Sequence, residues 1–233
     1  MYQYNRELNA VAMAAGQYQF DVEKQLVSKI AIGLRSTGSP PATPTVSQLK
    51  ATFFVARHIA PGVDRELYNI SLYDLAMLTD EKGGYSRDWT DTDLSDTNII
   101  APFGLDLRAE GKIQCYISVP ATIANCAVSA YPIFDGQMPT TLAYRTQATS
   151  GSCAISNCFR LYSRDETGTE LDLKVGDFSK KAIDFLMGKI MFAEQAKIEA
   201  ETPFALLYSN PTPNLIRLDR MAGTCTFVSV ELP

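Results

Sequence analysis

The sequence predicts an all-β chain folded as two successive β-sandwiches. Three observations predict it. Apolar and polar residues alternate with a period of two through most of the chain. Roughly 13 or 14 strand-like segments fall within 233 residues, which suits two packed sandwiches better than one. Each half also follows one plan: several strands, a short helix, then more strands.

The elements follow in order. Residues 17–22 (QYQFDV) and 27–34 (VSKIAIGL) alternate as strands. Residues 36–47 (STGSPPATPTVS) carry three prolines and a glycine, the composition of a loop. Residues 49–58 (LKATFFVARH) read as the strongest strand of the first half, and Pro61-Gly62 as a turn before a short strand at 66–70. Ser71 then caps a helix, with Asp74 in capping-box spacing, a stripe of Leu72, Leu75, Ala76 and Leu78, and Gly83-Gly84 as the stop. Residues 85–98 are polar and acidic, an exposed excursion. Strands resume at 99–107, 112–119 and 124–131, and residues 132–139 read as a connector. This places the domains at 1–132 and 133–233.

In the second half, residues 141–147, 153–163 and 170–175 are strands, with 163–169 (SRDETGT) as a hairpin turn between the last two. Asp177 or Ser179 caps a second helix through Met187, with Phe178, Ala182, Phe185 and Leu186 on one face. Residues 203–208, 214–218 and 224–232 close the chain as strands.

Composition removes several function classes. Hydrophobic residues make up 46% and charged residues 20%, enough for a packed core and against wholesale disorder. The net charge is −5, and neither half is basic: residues 1–131 hold 11 basic and 14 acidic side chains, residues 132–233 hold 10 and 12. A protein that neutralises phosphates needs a cationic stripe or arm, so direct nucleic-acid binding is not expected. The start, MYQYNRELNAVAMAA, lacks the pattern of a cleavable signal, and no apolar window is long enough to span a bilayer. The five cysteines, Cys115, Cys126, Cys153, Cys158 and Cys225, are odd in number and form no C-x-x-C pair. They read as free thiols in a reducing cytosol, three of them in strand-like runs. A single histidine, His58, excludes multi-histidine metal sites and relays.

The layout resembles the double jelly-roll coat proteins shared by adenoviruses, tectiviruses and corticoviruses, and the corticovirus type most closely. Ala14-Ala15-Gly16-Gln17-Tyr18-Gln19-Phe20 looks like that family's opening strand after a short N-terminal arm. Residues 27–34, the Pro-rich loop and residues 48–57 resemble its next two strands, and Ser71-Leu72-Tyr73-Asp74-Leu75 its short helix. Leu171-Asp172-Leu173-Lys174-Val175-Gly176-Asp177-Phe178, leading into residues 182–186, resembles the matching junction of the second roll. The structural alternative is one elaborated jelly roll.

The resemblance implies two tandem jelly rolls, each with a short helix. It implies a non-enzymatic major capsid protein, made in the host cytoplasm and located in the virion of an icosahedral, internal-membrane-containing virus or phage. Its partners would be itself, as trimeric pseudo-hexameric capsomers and a lattice, and other virion proteins. Met1–Ala15, with Tyr2, Tyr4, Leu8, Val11 and Met13, could lie on a lipid layer; the plainer reading is an ordinary mobile terminus or an arm packed on a neighbouring subunit. No catalytic or cofactor-binding residue is implied. The rivals are a carbohydrate- or receptor-binding vertex or spike protein and, second, a β-sandwich hydrolase.

Individual constellations point to little chemistry. Asp88, Asp91, Asp93 and Asp96 could offer oxygen ligands to calcium, but the run lacks the glycine and closing glutamate of an EF-hand. A solvated loop with Asx turns is the plainer reading, and the metal assignment stays unknown. Trp89, inside that run, suits a ligand-stacking role or a subunit contact. His58 beside Arg57 has no G-x-S-x-G elbow to serve. Glu66, Asp74, Glu110, Asp172 and Asp184 single out no carboxylate pair.

Overall fold

The computed structural model describes residues 3–4, 8–38, 44–83, 97–164, 172–175, 178–179, 205–219 and 224–233. The chain divides into two compact units, Met1–Thr141 and Leu142–Pro233, so the division falls after the 132–139 connector and not at the 132/133 boundary the sequence suggested.

The first unit has two antiparallel sheets. In one, β1 (Gln3–Tyr4) and β2 (Leu8–Ala12) both pair with β9 (Cys126–Phe134), which pairs with β4 (Leu26–Ser36), which pairs with β7 (Thr97–Asp106). In the other, the order is β3 (Gly16–Glu23), β8 (Lys112–Val119), β5 (Phe53–Ala60) and β6 (Val63–Ser71). Chain-adjacent strands repeatedly change sheets, which is jelly-roll topology.

Side-chain alternation explains the layering. Along β8, Ile113, Cys115, Ile117 and Val119 are buried while Lys112, Gln114, Tyr116 and Ser118 are not. That is the half-buried pattern of a sheet with one face on the core. The core is joined across the sheets by aromatics: Tyr68 on β6 lies 4.9 Å from Phe103 on β7 and 5.5 Å from Phe54 on β5, ring centroid to ring centroid. All three side chains are fully buried. The Tyr68 hydroxyl donates to the Pro102 carbonyl of β7, so one side chain ties both sheets by packing and by a hydrogen bond.

The predicted strand over 49–58 is corrected at its start. Residues Val46–Ala51 form a helix, α1, and β5 begins at Phe53. The cause is a capping box: Gln48 N–H donates to Thr45 Oγ1, and Thr45 N–H donates to Gln48 Oε1. The second helix, α2 (Leu72–Gly83), starts where expected, with Asp74 N–H donating to Ser71 Oγ at 3.0 Å. It packs on α1 and β7. Lys50 of α1 sits over the Tyr73 ring, 5.1 Å from its centroid.

Among its described residues the N-terminal segment forms two short strands, β1 and β2, each paired with β9. Leu8 and Met13 are buried in the first unit. Ala10, at φ 46°, bulges where its N–H meets Ser129 Oγ, and Met13 N–H bonds to the Cys126 carbonyl. Pro132, which lacks an N–H, falls between the β9 residues paired to β1 and those paired to β2.

Among the described residues the second unit repeats this strand order with fewer strands, because β11 and β14 each serve two places in it. β10 (Ala143–Ser150) pairs with β15 (Thr224–Glu231) over eight residues without a break. β15 pairs with the second part of β11 (Cys153–Ser163), residues 158–163. That part pairs with residues 205–209 of β14 (Ala205–Asp219). The first part of β11, residues 153–155, pairs instead with residues 216–218 of β14. Those β14 residues also pair with β12 (Asp172–Val175), which pairs with β13 (Phe178–Ser179). Register breaks fall between Ile155 and Arg160, where Asn157 has φ 53°. At such breaks a strand can turn from one layer into the next. The two ladders, β10-β15-β11-β14 and β11-β14-β12-β13, match the orders β2-β9-β4-β7 and β3-β8-β5-β6.

Three local expectations are corrected here. Most of the predicted 163–169 hairpin turn lies outside the described residues, and among the described residues β12 pairs with β13 and β14 and not with β11, because partner choice in this unit is non-local. Phe178 and Ser179 lie in a strand and not in a first helical turn; residues 180–187 of that predicted helix lie outside the described residues. The strands at 203–208 and 214–218 are one bent strand, β14.

Candidate functional site

A chemical site would need polar groups converging on a cavity. Among the described residues no three His, Cys, Asp or Glu side chains are placed to hold a metal ion. Asp88, Trp89, Asp91, Asp93 and Asp96 lie outside the described residues, as does Asp184.

His58 lies on β5, opposite Arg65 on β6 and Ile113 on β8. Partial burial, then the Arg65 charge, lower its pKa below the usual value. A triad histidine needs a carboxylate behind it, whereas the charge that acts on His58 is a cation. The carboxylates do not converge either. Asp74 is buried in the first turn of α2, Glu66 is on β6 opposite Arg57, Glu110 is in the exposed turn before β8, and Asp172 is on β12.

Three of the cysteines, Cys115, Cys126 and Cys158, are buried packing groups. Burial pushes the Cys126 thiol up to about 11 and the Cys158 thiol up to about 12, so neither is a thiolate near neutral pH. Cys115 is buried on β8.

The polar residues that do meet hold strands and connections in place. Lys29 Nζ lies 2.7 Å from Asp135 Oδ2, and this ion pair holds the Asp135 carboxyl below its ordinary pKa. Ser28 Oγ donates to the Gln137 carbonyl and accepts from Asp135 N–H. Gly104 is pressed against the same segment: a Cβ there would stand 1.7 Å from the Pro139 carbonyl oxygen. The stretch leaving β9 is thus fastened to β4 and β7. Elsewhere Lys112 pairs with Asp21 and Arg57 with Asp64, each between adjacent strands. The sequence offered no signal for these pairs, because Lys29 and Asp135 are brought together only by the β4–β9 ladder. What the geometry supplies is a pinned β framework.

No family model and no curated protein matches the sequence. Solved structures do match, over nearly the whole chain. The atomic structure of Sulfolobus Turreted Icosahedral Virus aligns at TM-score 0.59 and 13% identity, covering 99% of this chain and 90% of that one. The major capsid protein of bacteriophage PM2 aligns at TM-score 0.57 and 12% identity, covering 99% and 96%. The capsid of the virus PBCV-1 aligns at TM-score 0.52 and 8% identity, covering 99% and 93%. The chain has the double jelly-roll fold of these capsid proteins.

Proposed function

We propose that the chain is a structural coat protein of an icosahedral virion, active through self-assembly. The observation that carries this reading is the recurrence of one eight-place strand order in both units. Two similar bricks in one chain let three chains close a ring with six similar positions, using heterologous contacts. The likeness to capsid proteins over nearly the full chain supports the same reading.

The finer reading is a trimeric capsomer in the shell of an internal-membrane-containing virus or phage, in contact with other virion proteins. The charge supports a wall held away from the genome: a net charge of −5 would repel packaged nucleic acid. The N-terminal segment contributes less to lipid contact than its sequence suggests, since Leu8 and Met13 are buried within the first unit.

Size-exclusion chromatography with light scattering tests the capsomer. The expected mass is about 77 kDa, three chains of 25.6 kDa. A chain that stays monomeric at high concentration would overturn the proposal.

A further inference from the structure

By composition the stretch between β9 and β10, DGQMPTTL, is a flexible linker: eight residues, 135–142, with a glycine, a proline and two threonines. Residues 136–140 are exposed. Yet the stretch is tied to the first unit at both ends and in the middle. At its start, Asp135 Oδ2 lies 2.7 Å from Lys29 Nζ, and Asp135 N–H donates to Ser28 Oγ at 3.2 Å. Ser28, only 3% exposed, donates in turn to the Gln137 carbonyl at 2.5 Å. Gln137 N–H closes back on Asp135 Oδ1, across Gly136 at φ 88°. In the middle, Pro139 lies against the bare backbone of Gly104. At the end, Thr141 Oγ1 donates to the Gly104 carbonyl at 3.3 Å. The next paired residue is Ala143, opposite Glu231 in the second unit. Leu142 is therefore the one residue between the last tie on one unit and the first rung of the other.

We propose that residues 135–141 are a latch that sets the length of the tether between the units, and that capsomers form from the latched chain. The second clause rests on the coat-protein reading; the first does not. Latched, the tether is a single residue, which spans at most about 3.6 Å. Released, it is the whole stretch 135–142, which as a flexible chain spreads over about 15 Å. A ring closed by heterologous contacts must receive both units of each chain. Once one unit has docked, the local concentration of the other falls with roughly the −3/2 power of tether length, about twentyfold here. The ties suit a latch. They are few and polar, and β9 stays paired with β4 over Cys126–Ile133 whether or not they hold.

Hydrogen exchange and sedimentation equilibrium of the full chain test the two clauses separately. The variant Ser28→Ala/Lys29→Met/Thr141→Val removes the side-chain ties with groups of similar size. In wild type, the Asp135 and Gln137 amides should exchange about tenfold or more slower than in a free peptide of that sequence. In the variant they should come within about threefold of the free-peptide rate, while residues 126–134 of β9 keep their protection and so report an intact fold. The concentration at which half the chains are assembled should rise about tenfold or more. Ser71→Ala, a cap lost elsewhere in the same unit, should leave both readings within about threefold of wild type. Wild-type amides at the free-peptide rate, or variant amides as slow as wild type, would overturn the latch. A released stretch with assembly at the wild-type concentration would overturn its role in the capsomer. A wild type that never assembles, with these amides protected, would sink the coat-protein reading and support the latch.

Discussion

Replacing Tyr68 by Phe isolates the hydroxyl that ties the two sheets of the first unit. The ring would keep its places 5.5 Å from Phe54 and 4.9 Å from Phe103. The donor to the Pro102 carbonyl is lost. A net hydrogen bond contributes about 1 kcal/mol, and an acceptor left partly buried raises the cost to about 1–2 kcal/mol. Tyr68→Ala also removes the ring from a fully buried position and should cost about 3–5 kcal/mol. Urea unfolding followed by near-UV circular dichroism measures both. At an m-value of about 2 kcal/mol/M, the Phe variant should shift the midpoint down by about 0.5–1 M, with its slope unchanged. An unchanged or raised midpoint would refute the bridging hydroxyl. A Phe variant as damaged as Ala would show that the ring's placement, and not the bond alone, depends on that hydroxyl.

Other perturbations follow from the same geometry. Ser71→Ala removes the acceptor for Asp74 N–H at a fully buried helix start and should cost about 1–2 kcal/mol in thermal or urea unfolding. Gly104→Ala drives a methyl into the Pro139 carbonyl and should destabilise by about 3 kcal/mol or more, the upper end of overpacking costs, read as a lowered melting temperature. His58 has a folded pKa below its unfolded value of 6.5, so its contribution is full above pH 6.5 and is lost as pH falls through the folded value. The melting-temperature advantage of wild type over His58→Gln should therefore shrink between pH 7.5 and pH 5. A constant difference would contradict the burial of the neutral ring.

Much of the fold is legible in the sequence wherever one face of a strand meets the core. Residues 112–119 and 153–163 read as strands with the bounds the structure has, because period-two alternation is a local signal. The start of α2 is equally local, a serine and the residue three positions on. The misreadings have separate causes. At 49–51 the apolar run continues smoothly from helix into strand, and the deciding cap, Thr45 with Gln48, sits at the end of a Pro-rich stretch that resembles a loop. The 163–169 turn signal is a matter of composition and says nothing about which strand lies beside β12. The N-terminal pairing with β9 spans more than a hundred residues and leaves no short-range trace. The candidate acidic run and Trp89 fall outside the described residues. The contacts that organise the first unit, Lys29 with Asp135 and Tyr68 with Pro102, are products of the strand order.

Electron microscopy of native particles, paired with quantitative mass spectrometry of their protein content, bears most directly on the coat-protein reading. The account predicts pseudo-hexagonal capsomers that this chain fills, with the chain supplying most of the shell mass. A shell built of another protein, with this chain absent or present only at scattered vertices, would contradict it.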